Sequence, residues 1–222
     1  TYIKKESNLG QVKASESNAW WSYSPDIKTT KREGDDLLVL VNKEYKLPSG
    51  YVPSDLVSAS QSGIRLGEKF LLRSIIIDDL KELLNSAKND GVDLSIVSGY
   101  RSYQEQVTTY KYWVNYNGGS TDYAEMISAR AGHSQHQLGT AIDFSSAEIN
   151  DGLSGIFANT QASKWLNENA WKYGFVISYP EGGEYATGYS YESWHYRYIG
   201  RSNAQEMINS GMILEKYLQS KN

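Results

Sequence analysis

The chain contains no cysteine among its 222 residues. Disulfides and thiolate metal sites are thereby excluded, and any metal must be held by His, Asp or Glu. Histidine is scarce too, with three in all, so each has to be placed. No apolar run approaches the ~18 residues that span a bilayer. A net charge of -4 with no basic cluster gives no electrostatic footprint for nucleic acid. No GxGxxG or P-loop follows a predicted strand, which removes the usual nucleotide-binding readings.

What is present describes a folded, water-soluble chain. Hydrophobic residues make up 40% and charged residues 22%, far from the composition of a disordered protein. The length allows one large domain, or one domain with an extension. Residues 1–35, rich in Ser, Lys, Glu and Asn, read as an N-terminal extension or linker, in which the pair Trp20-Trp21 suggests docking, and 36–222 as the globular domain. Lack of cysteine suits an exported bacterial protein, and Thr1, not an initiator methionine, leaves room for an upstream segment. Eighteen tyrosines and six tryptophans supply rings for a core, and such rings also stack on sugars and peptide planes.

Leu37 to Val41 predict a strand, followed by a turn-rich stretch from Lys46 to Pro53. Leu72, Ile76, Leu80, Leu83, Leu84 and Ala87 recur at helical spacing, with Gly91 beyond as a left-handed terminus. Val92, Leu94 and Ile96 alternate as in a strand that runs into Ser98-Gly99-Tyr100-Arg101-Ser102. Ser102 and Glu105 form a capping box, so a helix follows towards Gly118 and Arg101 sits at a strand-to-helix junction. A short helix is expected over residues 122–130, closed by Gly132. Further on, Ala162, Trp165, Leu166 and Tyr173 predict a helix ending at Gly174, Phe175 to Ile177 a buried strand, Ser193 to Tyr198 a last strand, and Ser202 the cap of a C-terminal helix. Short strands joined by Gly-rich turns favour antiparallel pairing. The expected fold class is therefore α+β: a single catalytic domain with a small, mostly antiparallel sheet flanked by helices and the metal site at the sheet.

The segment Ser134-Gln135-His136-Gln137-Leu138-Gly139-Thr140-Ala141-Ile142-Asp143 carries a histidine seven residues before an aspartate. Strand alternation turns Asp143 to the face opposite Ile142 and Phe144. A catalytic zinc takes three protein ligands and keeps a fourth position for water. Two triads are available: His136, Asp143 and His195, or His133, His136 and Asp143. The first draws ligands from separate segments and puts Glu192 near the metal as a general base. It requires the chain to bend between Glu192 and His195, because strand positions three apart face opposite sides. Each pair alone is more often surface or capping chemistry, and Arg101 alone an ordinary surface ion pair.

Together, Ser98-Gly99-Tyr100-Arg101-Ser102, Ser134-x-His136-x-x-Gly139-x-Ala141-x-Asp143 and Glu192-x-x-His195 resemble the zinc D-alanyl-D-alanine carboxypeptidases of the VanY and LdcB type. The likeness covers about residues 95–198. It implies zinc on His136, Asp143 and His195, Glu192 as base, Arg101 at the substrate near the scissile bond, and Gln106 and Ser134 in contact with substrate. It implies a peptidoglycan stem peptide as partner, release of terminal D-alanine in cell-wall remodelling, and work outside the cytoplasm, by a monomer with room for a membrane anchor upstream. Many relatives carry Pro-Gly where this chain has Ala131-Gly132-His133, which leaves the task of His133 open. The rival readings are an endopeptidase of the same superfamily, told apart by the mass of its products, and a non-catalytic cell-wall module, told apart by lack of zinc.

Overall fold

The computed structural model describes residues 19–222. The chain enters through two short parallel strands, β1 (Lys28–Thr29) and β2 (Tyr45–Lys46), then an antiparallel pair, β3 (Leu56–Ser58) with β4 (Leu71–Arg73). Helix α1 (Ile77–Asn89) leads to β5 (Ser95–Ser98), α2 (Tyr103–Tyr116) and α3 (Thr121–Ile127). After a 3-10 turn over Gln135–Leu138 come β6 (Ala141–Ser145), α4 (Gln161–Asn169), β7 (Phe175–Ile177), the one-turn α5 (Glu184–Thr187) and β8 (His195–Tyr198). Helices α6 (Arg201–Ser210) and α7 (Leu214–Lys221) close the chain.

β5, β6, β8 and β7 lie side by side in that order, every neighbouring pair antiparallel. One face of this sheet is apolar. Ile96, Ile142, Phe144, Phe175, Tyr196 and Tyr198 pack there against Leu80 and Leu83 of α1 and Trp165 and Leu166 of α4. Removing Phe144, which is fully buried, would cost about 3–5 kcal/mol as a Phe→Ala change. Period-two alternation sends Asp143, His195 and Arg197 to the opposite face.

α2 starts as its sequence requires: Ser102 Oγ accepts from Glu105 N–H, and the Glu105 carboxylate accepts from Ser102 N–H at 2.8 Å. Four expectations need correction. Leu37 to Val41 form no strand, because their carbonyls are taken from the side: Arg197 Nη2 donates to Leu37 O and Val39 O, both at 3.0 Å. The helix expected from Leu72 begins at Ile77, since Leu71–Arg73 pairs with Leu56–Ser58. The next short helix ends at Ile127, where Ser128 turns extended. The C-terminal helix is capped by Gly200, with Ser202 inside it, and is followed by a second one.

Candidate metal centre and active site

Sheet register assembles the centre. On β6, Asp143 stands directly opposite His195 of β8 on one side and Ser98 of β5 on the other, and cross-strand partners share a face. His136 arrives from the Gln135–Leu138 turn, which Ser134 caps, its Oγ accepting from His136 N–H at 3.3 Å. Gly139 ends that turn at φ +68°, where a Cβ would press to 2.9 Å from the Arg73 side chain. The bend between Glu192 and His195 is a turn, with His195 N–H donating to Glu192 O at 3.2 Å before β8 begins.

His136, Asp143 and His195 are all buried, and each offers a ligand atom within 4.8 Å of the others. The outer nitrogen of each ring is occupied. His136 Nδ1 lies 2.8 Å from Gly99 O, a pure acceptor, so it carries the hydrogen and leaves Nε2 as a lone pair 3.2 Å from Asp143 Oδ2. His195 Nε2 lies 3.2 Å from Gln135 Oε1, likewise an acceptor, so the Nδ1 lone pair faces Asp143 Oδ1 at 2.9 Å. Three acceptors aimed at one another in a dry place repel unless a cation lies between them. Two imidazoles and one carboxylate suit zinc in an open catalytic site, so the residues fit that metal.

Electrostatics follow the same geometry. Burial opposes the charge of Asp143, yet with no metal bound, positive charge on His136 and hydrogens donated by His136 and His195 stand in for a cation and hold its carboxyl well below the usual range. Burial lowers His195 from its ordinary value and so favours the neutral ring a metal needs, although Asp143 pulls the other way. Glu192, with Oε2 3.6 Å from His195 Nδ1, is pushed far up by burial and then by the Asp143 charge, against the pull of Arg101.

Arg101 donates from Nη1 to Gln106 Oε1 at 2.9 Å and from Nη2 to Ser98 Oγ at 2.8 Å. Two of its five donors are thus spent on orientation and three remain. Gln106, buried on α2, also donates to Ala129 O at 2.7 Å; both ends of its amide are engaged, and it holds the arginine. Ser134 is buried beside His136 and lines the same pocket as Arg101, Gln106 and the three ligands, of about 270 Å³. His133 is elsewhere: Nδ1 donates to Asn42 O at 2.7 Å, the ring meets Tyr23 edge-on, and burial lowers its pKa to about 4.

Three further contributors were not singled out from the sequence. Gln135 accepts from Ser178 Oγ at 2.7 Å and faces His195. Ser98 steadies Arg101, and the buried Tyr179 ring sits 4.9 Å from that of His195. Only Ser98 could have been found beforehand, from its place at the head of the arginine motif.

Lone pairs that call for a cation, a carboxylate placed to take a proton and a pocket open in front of both have the form of a zinc-dependent hydrolase site. The family profile described as VanY, D-alanyl-D-alanine carboxypeptidase, matches residues 69–201. YodJ of Bacillus subtilis strain 168 is 37% identical over 221 residues, which is 96% of this chain and 80% of YodJ. Among solved structures, the LdcB LD-carboxypeptidase superposes with a TM-score of 0.76 at 35% identity, over 90% of this chain and 95% of LdcB. A mutant of the D,D-pentapeptidase VanY from a VanB-type resistance cassette, solved with Zn(II), gives 0.67 at 31% identity, over 84% and 99%. The chain belongs to the VanY family of D-alanyl-D-alanine carboxypeptidases.

Proposed function

We propose that this chain removes the terminal D-alanine from peptidoglycan stem peptides, cutting Lys-D-Ala in tetrapeptides or D-Ala-D-Ala in pentapeptides, with zinc on His136, Asp143 and His195. The observation that carries the reading is the facing of the His136 Nε2 and His195 Nδ1 lone pairs onto Asp143, 3.2 and 2.9 Å away, with Glu192 next to them. A zinc ion held there supplies the Lewis acidity that polarises the amide carbonyl and acidifies the attacking water.

The chain's own groups do the rest. Glu192 accepts the water's proton at a carboxylate oxygen and returns it to the leaving amine; the positive charge of a metal opposes the burial that otherwise keeps this group protonated. Arg101 turns its three spare donors to the developing oxyanion or the terminal carboxylate, and its planar fork matches two oxygens at once. Ser134 Oγ, already accepting from His136 N–H, has its own hydrogen left to donate into the pocket. Gln106 acts by keeping Arg101 in place.

Peptidoglycan lies outside the cytoplasm, so the proposed place of action is the cell envelope, and the proposed working form is a monomer. Among the described residues no helix is long and apolar enough to cross a membrane. The deciding experiment incubates zinc-loaded protein with tetra- and pentapeptide stems, with and without a chelator, and weighs the products. Loss of one alanine, abolished by chelation, is expected; two larger fragments would reveal an endopeptidase, and no cleavage a binding module. Glu192→Gln is expected to keep its zinc while turnover falls about 10²–10⁴-fold. A variant with normal turnover would remove Glu192 from the reaction.

A further inference from the structure

One stripe of α2 runs along the active-site pocket. Gln106, Thr109 and Trp113, three and four residues apart, all line it, as side chains on one helical face must. The next position on that stripe is Tyr116. Its ring lies 5.7 Å from Trp113, edge to face, and 5.9 Å from Tyr112, nearly parallel at 25°, while Tyr112 and Trp113 are 5.2 Å apart. Tyr116 is 70% and Tyr112 56% exposed among the described residues. A core has no use for such faces, and the rings that touch them are one another.

We propose that Tyr112 and Tyr116, joined to the pocket through Trp113, form a shelf on which a pyranose ring of the glycan strand stacks while its stem peptide is cut. The proposal rests on the peptidoglycan reading above. Axial C–H groups give a sugar an apolar face, and flat rings with little conformational entropy to lose are the side chains that bind it. The rings carry no charge, and neither does an N-acetylated disaccharide whose lactyl group is tied up in an amide.

Length agrees as well. At 1.5 Å per residue, α2 rises roughly 16 Å from Ser102 to Trp113 and roughly 21 Å to Tyr116. Three or four stem residues between the cut bond and the sugar extend about 10–14 Å, and the γ-linked residue and the lactyl ether lengthen that path. A stem laid along the stripe from Arg101 brings its sugar to the tyrosines.

The test compares a sugar-free pentapeptide with the same peptide on its N-acetylglucosaminyl-N-acetylmuramyl disaccharide. For the native chain the disaccharide form should show a KM about tenfold lower at equal kcat. In the Tyr112→Ala, Tyr116→Ala double variant that advantage should vanish, with kcat/KM for the sugar-free peptide within twofold, while the double Phe variant keeps it. Peptide-free glycan strands should shift Trp fluorescence of the metal-free native chain and not of the Ala variant. An equal KM for both substrates in the native chain, or an undiminished sugar advantage in the Ala variant, overturns the shelf. If neither peptide is cut, the carboxypeptidase reading has failed, and the glycan titration alone decides the shelf.

Discussion

Two groups of polar side chains lie buried a short way apart, and only one of them is satisfied. Around Lys43 each polar side chain has a partner. Its Nζ donates to Glu125 O at 2.6 Å and rests 4.0 Å above the Tyr189 ring and 4.4 Å above that of Tyr23. The Glu125 carboxylate accepts from Arg130 and from Tyr110 Oη at 3.0 Å, and Asn42 donates to Glu215 Oε1 at 2.6 Å while its own Oδ1 accepts two backbone N–H groups. That cluster ties the segment before residue 48 to the wall of the pocket. Around Asp143, acceptors face acceptors. Pairing of the first kind secures a fold; the second kind is stable only when something positive completes it, which marks it as functional.

The sharpest way to break this contrast is Asp143→Asn. Zinc content should fall to background and turnover by at least ~10³-fold, both readable from one purified sample by metal analysis and stem-peptide assay. The native chain should gain about 2.7 kcal/mol of stability at a hundredfold excess of zinc over Kd, seen as a rise in Tm that the variant lacks. Equal zinc-induced shifts in both would sink the contrast.

Gln135→Leu probes the same side more gently. The fold should survive, but His195 would lose the acceptor that fixes its tautomer, and zinc affinity should drop about 10–100-fold in competition with a chelator. Unchanged affinity would reduce Gln135 to packing. Arg101→Lys should keep the zinc and lose on the order of a hundredfold in kcat/KM, because an ammonium cannot offer a planar pair of donors.

The smallest effect belongs to the satisfied cluster. Burial raises Glu215 to about 7, against the hydrogen bonds from Asn42 and Gln219. With a folded-state pKa above the unfolded one, stability is full below about pH 4.5 and declines as pH rises to about 7. Chemical unfolding at pH 5 and pH 7.5 should therefore show the native chain losing on the order of 1–3 kcal/mol that Glu215→Gln does not lose. A native chain equally stable at both would show that Glu215 is ionised at no cost.

Much of this arrangement was legible where the code is local. The Ser102/Glu105 box starts α2, and the alternation through Ala141 to Phe144 turns Asp143 away from the core, as neighbouring residues alone dictate. What stayed hidden depends on distant partners. Arg197 is an unremarkable strand residue until the carbonyls of Leu37 and Val39 come to it, and those contacts keep an apolar run from becoming a strand. Leu72 has helical spacing with Ile76, yet β3 claims it first. Gln106 read by likeness as a substrate contact has both amide ends engaged by Arg101 and Ala129. Of the expected extension over 1–35, residues 1–18 lie outside the described residues, and the remainder includes β1 and Tyr23, whose hydroxyl accepts from Arg130 N–H at 2.7 Å.

The pairing of Asp143 with His195 and Ser98 at one level of the sheet has a further consequence. A pleated strand has two sides and nothing between, so deleting a single residue from β6 would swing the carboxylate into the aromatic interior and bring Ile142 or Phe144 out in its place. The centre cannot be retuned by small slippages; it is either whole or lost. Adaptation to new stems is left to the connecting loops, where residues can be added or removed without shifting the rungs of the ladder.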